Sequence, residues 1–437
     1  MHSIEPAKMS ILERITQREL DDAIKKHGIF LKGIRGGARA IFKFKDLSNL
    51  DFKGADLSQA DFTGSLLVNA NMAKGTFRSV SFFACDMRGA NLEDANFSRA
   101  DFRGAFVAGA NLSGADLKEA DLREGKVMER DEKGVLKDKH RENLPEKVHK
   151  TIFTGAKLKE TNLSGARAMA ADFSDADMQG VTVKDADFTG ANFEGANLAD
   201  ADFTGTDLSD ANMRSSIMTN TILKHAETGG ANLKEALTEE TMGRKMETLE
   251  KSLPELLQEH TAWVATAGKN GKRLDLSGYD LRHIKGLADY SLTAIKAVGA
   301  NFLNQKMSGA EMQSAILDRA DFRDSQVDKA DLRGASLKGA MFSRADMSKI
   351  NLSPLQFTNE DGSTWLQRTN LSGANLRYAI IRGADLRDAI MMGVDLSYAI
   401  LIDCDLRRAD LTGAIMDHTD LTDAMTQGAI MDDKNRK

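Results

Sequence analysis

Large apolar residues recur at every fifth position along most of the chain, with a small residue two places before each of them. An amphipathic helix needs apolar returns at three and four residues, and a half-buried strand needs them at two. A five-residue period fits neither, so it predicts a repeat structure wound on itself. Between residues 186 and 208 the large positions are Phe188, Phe193, Leu198, Phe203 and Leu208.

Each five-residue unit has one consistent physical interpretation. The large residue and the small residue point inward, where together they fill a narrow core without voids. Asp or Asn stands between them and faces outward, and its short side chain can bond to nearby backbone amides and hold a turn. Gly, Ser, Lys or Arg usually follows and faces water.

Four runs of the repeat are separated by three breaks. The runs extend from Phe42 to Leu122, from Phe153 to Leu233, from a ragged start at Leu276 to Phe357, and from Leu371 to Met431. Charged residues 124–150 and the shorter segment 358–369 each change the phase by one residue. Both segments are therefore predicted to be loops that leave the coil.

Helices are predicted before the first run and at the remaining break, which lies between the second and third runs. Thr16 and Glu19 form a capping-box pattern, and Ser252 and Glu255 form a second one with Pro254 in the first turn. A solenoid end exposes apolar core and an unpaired strand edge, so we expect each helix to cover one.

The two helical segments indicate an internal duplication. They align on His27 and His260, each followed three residues later by an aromatic residue, Phe30 or Trp263. We interpret these four as cap positions that serve packing. The predicted domains are a cap region at 1–39, repeats at 40–237, linking and capping helices at 238–275, repeats at 276–431 and a polar tail at 432–437.

The pattern A-(D/N)-(L/F)-x-x resembles the pentapeptide repeat family. ADLSQADFTG at residues 55–64 and ANLSGADLKEADL at residues 110–122 carry the resemblance, which covers about three quarters of the chain. The resemblance implies an all-β solenoid, a right-handed quadrilateral β-helix with four units per coil, with short α-helices as caps and links.

Composition narrows the function classes. Lys and Arg number 59 against 65 Asp and Glu, for a formal net charge of -6, so no global field favours nucleic acid or membranes. Cys85 and Cys404 occupy small inward positions, which predicts buried thiols rather than a disulfide or a metal site. Without an apolar signal segment or an 18-residue apolar run, we expect a cytoplasmic protein.

No motif predicts catalysis, a cofactor or a metal. The histidines are scattered, and His140 and His149 share the first loop without metal-ligand spacing. GIRGGARA at residues 33–40 follows a helix rather than opening one, which is the wrong end for a phosphate. A coil filled by its own side chains also leaves no cleft. An enzyme site around the central helices is the least favoured alternative.

The fourth run departs from the motif on its surface. Isoleucine replaces the outward Asp or Asn at five positions: Ile380, Ile390, Ile400, Ile415 and Ile430. With twenty residues per coil, Ile380 and Ile400 would stack on one face, and Ile390 and Ile430 would share another. We interpret them as a binding or self-association patch, with a homodimer through the C-terminal coils as one hypothesis. The alternative is that isoleucine simply favours strand there.

The second run is acidic, with thirteen acids against seven bases in residues 151–235. The family resemblance implies one use for such a surface, because some members mimic DNA in the channel of type II topoisomerases. The matching outward acids would be Asp172, Asp175, Asp185, Asp200 and Asp210. Basic residues interrupt every run, however, and most of these aspartates are explained as turn residues.

The sequence therefore favours a non-enzymatic scaffold that binds a protein partner, of unknown identity, through its coil faces and two loops. The alternative is a DNA mimic that binds a topoisomerase such as gyrase through an acidic face. Neither hypothesis involves direct contact with nucleic acid or with a membrane.

Overall fold

The structure is a computed structural model that describes residues 12–125, 128–130, 136–138, 150–240, 242–359 and 361–432. His140 and His149 lie outside the described residues. The chain divides into two compact units, residues 1–239 and 240–437, which we call unit 1 and unit 2. Each unit has its own hydrophobic core.

Parallel backbone bridges join positions twenty residues apart. Asp61, for example, is bridged to Ile41 on one side and to Ser81 on the other. The Phe62 amide donates to the Ser81 carbonyl at 2.9 Å, and the Asp61 amide donates to the Ala40 carbonyl at 3.1 Å. Four five-residue units thus make one coil, and outward positions form columns that repeat every twenty residues.

A tight turn separates consecutive bridges, and this explains the period of five. The second residue after each large residue takes a left-handed backbone conformation, as at Asp185 (φ 52°) and Tyr398 (φ 60°). The outward Asp or Asn supports the turn, since the Asp61 carboxylate accepts the Thr63 amide at 3.1 Å. The predicted turn role of these residues is confirmed.

The inward positions form a continuous core inside each unit. Phe62, Phe193 and Phe322 are fully buried, as are the alanines of the small positions beside them. Cys85 and Cys404 occupy small positions and donate their thiols to carbonyl oxygens of the preceding coil at 2.9 and 2.7 Å. Burial raises the pKa of Cys85 to about 12 and that of Cys404 to about 11.

Both predicted helices are present. Helix α1 spans Gln17–Leu31, and strand β1 (Glu13–Arg14) before it pairs in parallel with β2 (Lys45–Asp46) in the first coil. Helix α2 spans Leu253–Ala265 and follows a single 3₁₀ turn at Met246–Thr248. Neither helix of the described chain combines the length and the apolar character that crossing a bilayer requires.

The ragged start of the third run is a coil with one extra residue. Asp275 is bridged to Lys296 and Asp280 to Asn301, a separation of twenty-one instead of twenty. A 3₁₀ turn at Leu287–Asp289 lies within this coil. The regular spacing resumes with the bridge from Lys296 to Ile316.

Each predicted loop contains a β-hairpin. In the first loop, β3 (Met128–Arg130) pairs with β4 (Leu136–Asp138) in antiparallel fashion. In the second, β5 (Leu355–Thr358) pairs with β6 (Thr364–Gln367). We call them the first and second hairpins.

The predicted boundary of the second loop was wrong. Phe357 is not the last inward residue of the third run, because it lies in β5 and is only half-buried. Leu352 is the last fully buried large residue of the third run. Pro354 stands where the turn needs a left-handed residue, and the fixed φ of proline, about −65°, forbids that conformation. The coil therefore breaks at Pro354, before residue 358.

Candidate interaction surfaces

The N-terminal end of unit 1 is closed by side chains of α1. The ring of His27 is fully buried; its Nδ1 accepts the Ala40 amide at 3.0 Å, and its Nε2 lies 3.0 Å from the Ser58 carbonyl, to which it donates. The side chain of Gln17 takes the place of a neighbouring strand. Its Nε2 donates to the Asp51 carbonyl at 2.7 Å, and its Oε1 accepts the Asp51 backbone amide at 2.9 Å. These bonds satisfy backbone groups that would otherwise be an open edge.

Unit 2 closes its first coil with a matching histidine, but backbone groups of Arg244 take the place of the Gln17 side chain. His260 is fully buried and its Nδ1 accepts the Leu274 amide at 3.1 Å. Arg244 pairs with the coil edge, since its amide donates to the Gly278 carbonyl at 2.7 Å and its carbonyl accepts the Asp280 amide at 2.9 Å.

The aromatic cap positions pack beside the histidines. The Phe30 ring centroid lies 5.5 Å from that of His27, and the Trp263 ring lies 5.9 Å from that of His260. Burial lowers the pKa of both imidazoles, so both are held neutral. This supports the interpretation of these four residues as packing positions. In the part of the chain that the structure describes, no group of three His, Cys, Asp or Glu side chains could hold a metal.

A small cleft lies between α2 and the first coil of unit 2. Its volume is about 270 Å³, and its lining mixes acids with bases, among them Glu259, Asp275, Lys272 and Arg244. The Arg244 guanidinium is already stacked 4.2 Å from the Tyr279 ring centroid. Because the opposite charges balance, the cleft does not select a ligand of either sign.

Many outward aspartates are neutralised by an arginine two residues later. In Asp405–Arg407, for example, the carboxylate accepts two hydrogen bonds, at 2.9 and 2.6 Å, and the guanidinium lowers the pKa of Asp405. Such pairing removes acidic potential from the surface. Eight pairs of this kind are present in the described coils: Asp86–Arg88, Asp101–Arg103, Asp121–Arg123, Asp280–Arg282, Asp321–Arg323, Asp331–Arg333, Asp385–Arg387 and Asp405–Arg407.

The five acids proposed for an acidic face do not come together. Asp172 occupies a bridge position, whereas Asp175, Asp185, Asp200 and Asp210 all occupy left-handed turn positions. Within an uninterrupted run, positions share a column only when they differ by a multiple of twenty, so these four lie in four different turn columns. Asp175 is also buried, with 4% of its surface exposed. A shorter acidic column does exist, in which Asp187, Asp207 and Glu227 are bridged in succession.

The five isoleucines are also distributed over several columns. Ile380 and Ile400 are bridged directly to each other, as the twenty-residue coil predicts. Ile390 and Ile430 share a second column, but Asp410 lies between them. Ile415 follows Asp395 in a third column. Only the first pair forms a contiguous surface.

An aromatic stack that the five-residue pattern does not predict lies beside that pair. The rings of Tyr378 and Tyr398 are parallel within 3°, with centroids 4.9 Å apart, and His418 continues the stack at 4.8 Å. These residues occupy the turn column that precedes Ile380 and Ile400. The repeated tripeptide Tyr-Ala-Ile at residues 378–380 and 398–400, twenty residues apart, was the available signal.

The second hairpin carries exposed apolar side chains on both of its faces. Phe357 and Trp365 stack across its two strands, with ring centroids 4.6 Å apart. Trp365 is 47% exposed and Leu366 is 55% exposed. The mixed charge of this segment predicted a solvated loop, so these exposed apolar side chains are a finding of the structure.

A threonine anchors the chain where it re-enters the coil after each hairpin. After the second hairpin, Thr369 Oγ1 accepts the Gly334 amide at 2.8 Å and lies 3.2 Å from the Ser353 carbonyl and 3.3 Å from the Leu332 carbonyl. Thr151 makes the equivalent contacts after the first hairpin, with Gly104, Arg123 and Phe102 at 3.0, 2.8 and 3.2 Å. The chain therefore re-enters the coil at a fixed point after each hairpin.

Comparison with protein families identifies the repeat. The description "Pentapeptide repeats" matches eight copies, within residues 153–185, 184–220, 291–324, 315–353, 363–391 and 389–424. "Pentapeptide repeat region" matches residues 55–131. No protein of curated function matches the chain.

Solved structures give weaker similarities. A trypsin-treated variant of QnrB1, a plasmid-mediated fluoroquinolone resistance protein, is 20% identical over 46% of this chain and 92% of its own, with a TM-score of 0.28. Rfr23 from the cyanobacterium Cyanothece 51142 is 24% identical over 35% and 91%, with a TM-score of 0.16. HetL, involved in heterocyst differentiation regulation in Nostoc sp. strain PCC 7120, is 19% identical over 93% and 95%, with a TM-score of 0.12. Scores this low transfer no function.

Proposed function

Because the chain belongs to the pentapeptide repeat family, we propose that it is a non-enzymatic scaffold that binds a protein partner through surfaces carried by its coils and hairpins. Family members of known structure fold as right-handed β-helices, and we propose the same hand and a four-sided coil for this chain. The partner binds outward side chains, because the inward ones fill the core completely.

The second hairpin is the observation that carries this proposal. A contiguous exposed apolar cluster, here the stacked rings of Phe357 and Trp365, marks a candidate interaction site. Tryptophan side chains in particular carry a large share of the binding energy at protein interfaces. The Thr369 bonds and the Phe357–Trp365 stack order the hairpin in advance, so binding requires little further loss of conformational entropy.

Affinity capture from a lysate of the source cells tests the hairpin as the docking element. We expect a retained partner to be lost when Trp365 and Leu366 are both replaced by alanine. Met169→Ala is the matched control, since Met169 is 46% exposed in unit 1. A partner retained equally by the hairpin variant would contradict this assignment, and deletion of residues 126–150 would then test the first hairpin.

Self-association through the C-terminal coils is a second candidate function. It is favoured by the stacked pair Ile380 and Ile400 and by the exposure of Ile415 (43%) and Ile430 (54%). Light scattering of the purified chain should give a dimer mass, and replacing Ile380, Ile390 and Ile400 with aspartate should give a monomer. A monomeric wild type at every concentration would remove this candidate.

DNA mimicry toward a type II topoisomerase is the alternative. Its support is limited to the short column of Asp187, Asp207 and Glu227, with Asp185 and Asp210 in adjacent turns. A DNA gyrase supercoiling assay with purified protein tests it. Inhibition at low micromolar concentration that is relieved by Asp187→Asn and Asp207→Asn would favour mimicry, and no inhibition at far higher concentration would remove it.

A further inference from the structure

We propose that the N-terminal end of unit 1 binds an anionic lipid surface through a patch of apolar and basic side chains. The patch, which we call the first-coil patch, consists of six exposed residues: Lys32, Ile34, Arg35, Arg39, Ile41 and Phe44. This inference goes beyond the protein-binding function proposed above and does not depend on it.

The patch contains the two most exposed large apolar side chains in the described part of the chain. Ile41 is 58% exposed, Ile34 is 57% exposed and Phe44 is 47% exposed. The Ile34 amide donates to the Ile29 carbonyl at 3.2 Å, which holds Ile34 at the end of α1. Ile41 occupies a bridge position on the first side of the coil, where Asp or Asn is usual, and Phe44 lies in the turn that closes this side.

Phe44 adopts a backbone conformation that bulky residues seldom take. It occupies a left-handed turn position, with φ 54°. Its ring lies against Gly64, where an added Cβ would be 2.5 Å from the Phe44 Cε1. Phe44 fills no inward position, and residues held in sparsely populated conformations cluster at functional sites.

Basic residues accompany these side chains without an acid in the same stretch. Residues 23–45 contain seven Lys and Arg and no Asp or Glu, so the formal net charge of -6 for the whole chain conceals a local excess of positive charge. Arg39 keeps its charge at the surface, because its Nε donates to the Gln59 carbonyl, at 2.6 Å, rather than to a carboxylate. Lys43 and Lys45 are paired with acids of the next coil and of β1, so they are not counted in the patch.

Unit 2 has the same kind of cap but lacks the patch. The duplication places Asp275 where unit 1 has Ile41, and Gly278 where unit 1 has Phe44. Asp275 is paired with Lys296 at 3.0 Å, and Gly278 takes the left-handed turn conformation with φ 69°. Because unit 2 begins its coil with these residues, the fold itself does not require the exposed apolar side chains of unit 1.

The combination of protruding apolar side chains and adjacent bases identifies a lipid surface as the occupant. Basic residues attract anionic headgroups, and apolar side chains beside them enter the boundary between headgroups and acyl chains. Each of the three apolar residues has a basic residue within two positions of it in the sequence, so its insertion brings a base to the headgroups. A nucleic acid would use the bases for its phosphates but would leave Ile34 and Ile41 without a partner.

Sedimentation with vesicles tests the proposal on the full-length chain. We expect the chain to sediment with vesicles of phosphatidylcholine and phosphatidylserine in equal amounts, and not with vesicles of phosphatidylcholine alone. Added salt should weaken the binding, because it screens the attraction between the bases and the headgroups. No sedimentation with the anionic vesicles at low ionic strength would overturn the proposal and would leave an acidic protein as the occupant.

The duplication supplies substitutions that preserve the coil. Ile41→Asp and Phe44→Gly introduce the residues that unit 2 carries at the equivalent positions, so we expect both variants to fold, which circular dichroism and thermal unfolding verify. Each should weaken binding to the anionic vesicles about tenfold, through lost apolar burial and, for Ile41→Asp, an added negative charge. Ile222→Asp is the matched control, because Ile222 is a bridge residue of unit 1 that is 48% exposed. Binding that is unchanged in Ile41→Asp, or reduced as strongly in Ile222→Asp, would overturn the patch as the binding surface.

A fluorescent label distinguishes insertion from adsorption by charge alone. Ile41→Cys and Ile222→Cys each add one accessible thiol, because the native Cys85 and Cys404 are buried. The emission of a nitrobenzoxadiazole label at residue 41 should move to shorter wavelength when anionic vesicles are added, and the same label at residue 222 should not respond. A label at residue 41 that does not respond, on a chain that sediments, would overturn the insertion of the apolar side chains.

Discussion

Units 1 and 2 are built with the same devices at the same places. In each, a buried histidine accepts a backbone amide of the first coil, an arginine bonds to a carbonyl of the next coil, and a threonine fixes the hairpin. The matched pairs are His27 and His260, Arg39 and Arg273, and Thr151 and Thr369. Their agreement supports the internal duplication that the sequence predicts.

The units differ in what their outward positions carry. In unit 1 the bridge column through Asn192 is a ladder of amides, in which Asn212 donates to Asn192 at 3.0 Å. In unit 2 the column through Ile380 carries two successive isoleucines, Ile380 and Ile400, between Asp346 and Asp420, and stacked tyrosines flank the pair. The first loop is rich in charged residues, whereas the second hairpin carries Phe357 and Trp365.

The two units match where backbone groups must be satisfied and vary at other outward positions. Coil ends and hairpin exits must satisfy backbone groups in one particular way, so their residues match between units. Outward side chains on bridges and turns contribute little to the core. Replacing them changes the surface without changing the coil, and differences in binding therefore belong to these positions.

The largest predicted effect comes from a core substitution, which tests whether the two units unfold independently. Phe322 is fully buried between Phe302 and Phe342, with ring centroids 4.5 and 4.8 Å away. Phe322→Ala should lower the free energy of unfolding of unit 2 by about 3–5 kcal/mol, through lost burial and a cavity. Both tryptophans, Trp263 and Trp365, lie in unit 2, so denaturant unfolding followed by fluorescence reports that unit.

The matched variant lies in unit 1. Phe193 is fully buried and packs against Phe173 at 5.4 Å. Phe193→Ala should shift the circular dichroism transition while leaving the fluorescence midpoint in place. Equal shifts of the fluorescence midpoint by both variants would mean that the units unfold as one cooperative body.

The five-residue pattern predicted which side chains point inward, and the twenty-residue coil predicted that Ile380 and Ile400 share a column. Asp175 and Asp185 are ten residues apart in one uninterrupted run, so the same count places them in different turn columns. Phe357 kept the period by coincidence, while Pro354 had already ended the coil. The histidine caps were predictable because the internal duplication places an equivalent histidine, His27 or His260, before the first coil of each unit.

The next effect in size concerns the hairpin exits. Thr151→Val and Thr369→Val keep the side-chain shape but remove the hydroxyl that accepts a buried glycine amide. Each should cost about 1–3 kcal/mol in the free energy of unfolding, the penalty for a buried donor without a partner. The threonine-to-serine variants keep the hydroxyl and serve as controls. A cost at Thr151 with none at Thr369 would show that the two exits are not equivalent.

The smallest effect is the pH dependence of the two caps. Burial lowers the pKa of His27 and His260 in the folded chain. The unfolded chain then binds more protons below the unfolded pKa of about 6.5. The stabilisation is therefore complete above that pH and is lost as the pH falls toward the lower, folded-state pKa.

The surroundings of the two rings predict which cap is more sensitive. Asp56 and Arg39 face His27 with opposite effects on its pKa, whereas Arg273 faces His260 and lowers its pKa further. Unit 2 should therefore lose more free energy of unfolding than unit 1 between about pH 7 and about pH 5. Protonating either Nδ1 removes one backbone hydrogen bond, worth about 1 kcal/mol. His260→Asn can still accept that bond without titrating, so it should flatten the pH dependence of the fluorescence transition, whereas His27→Asn should leave it unchanged. A slope that persists in His260→Asn would mean that some other group titrates in unit 2.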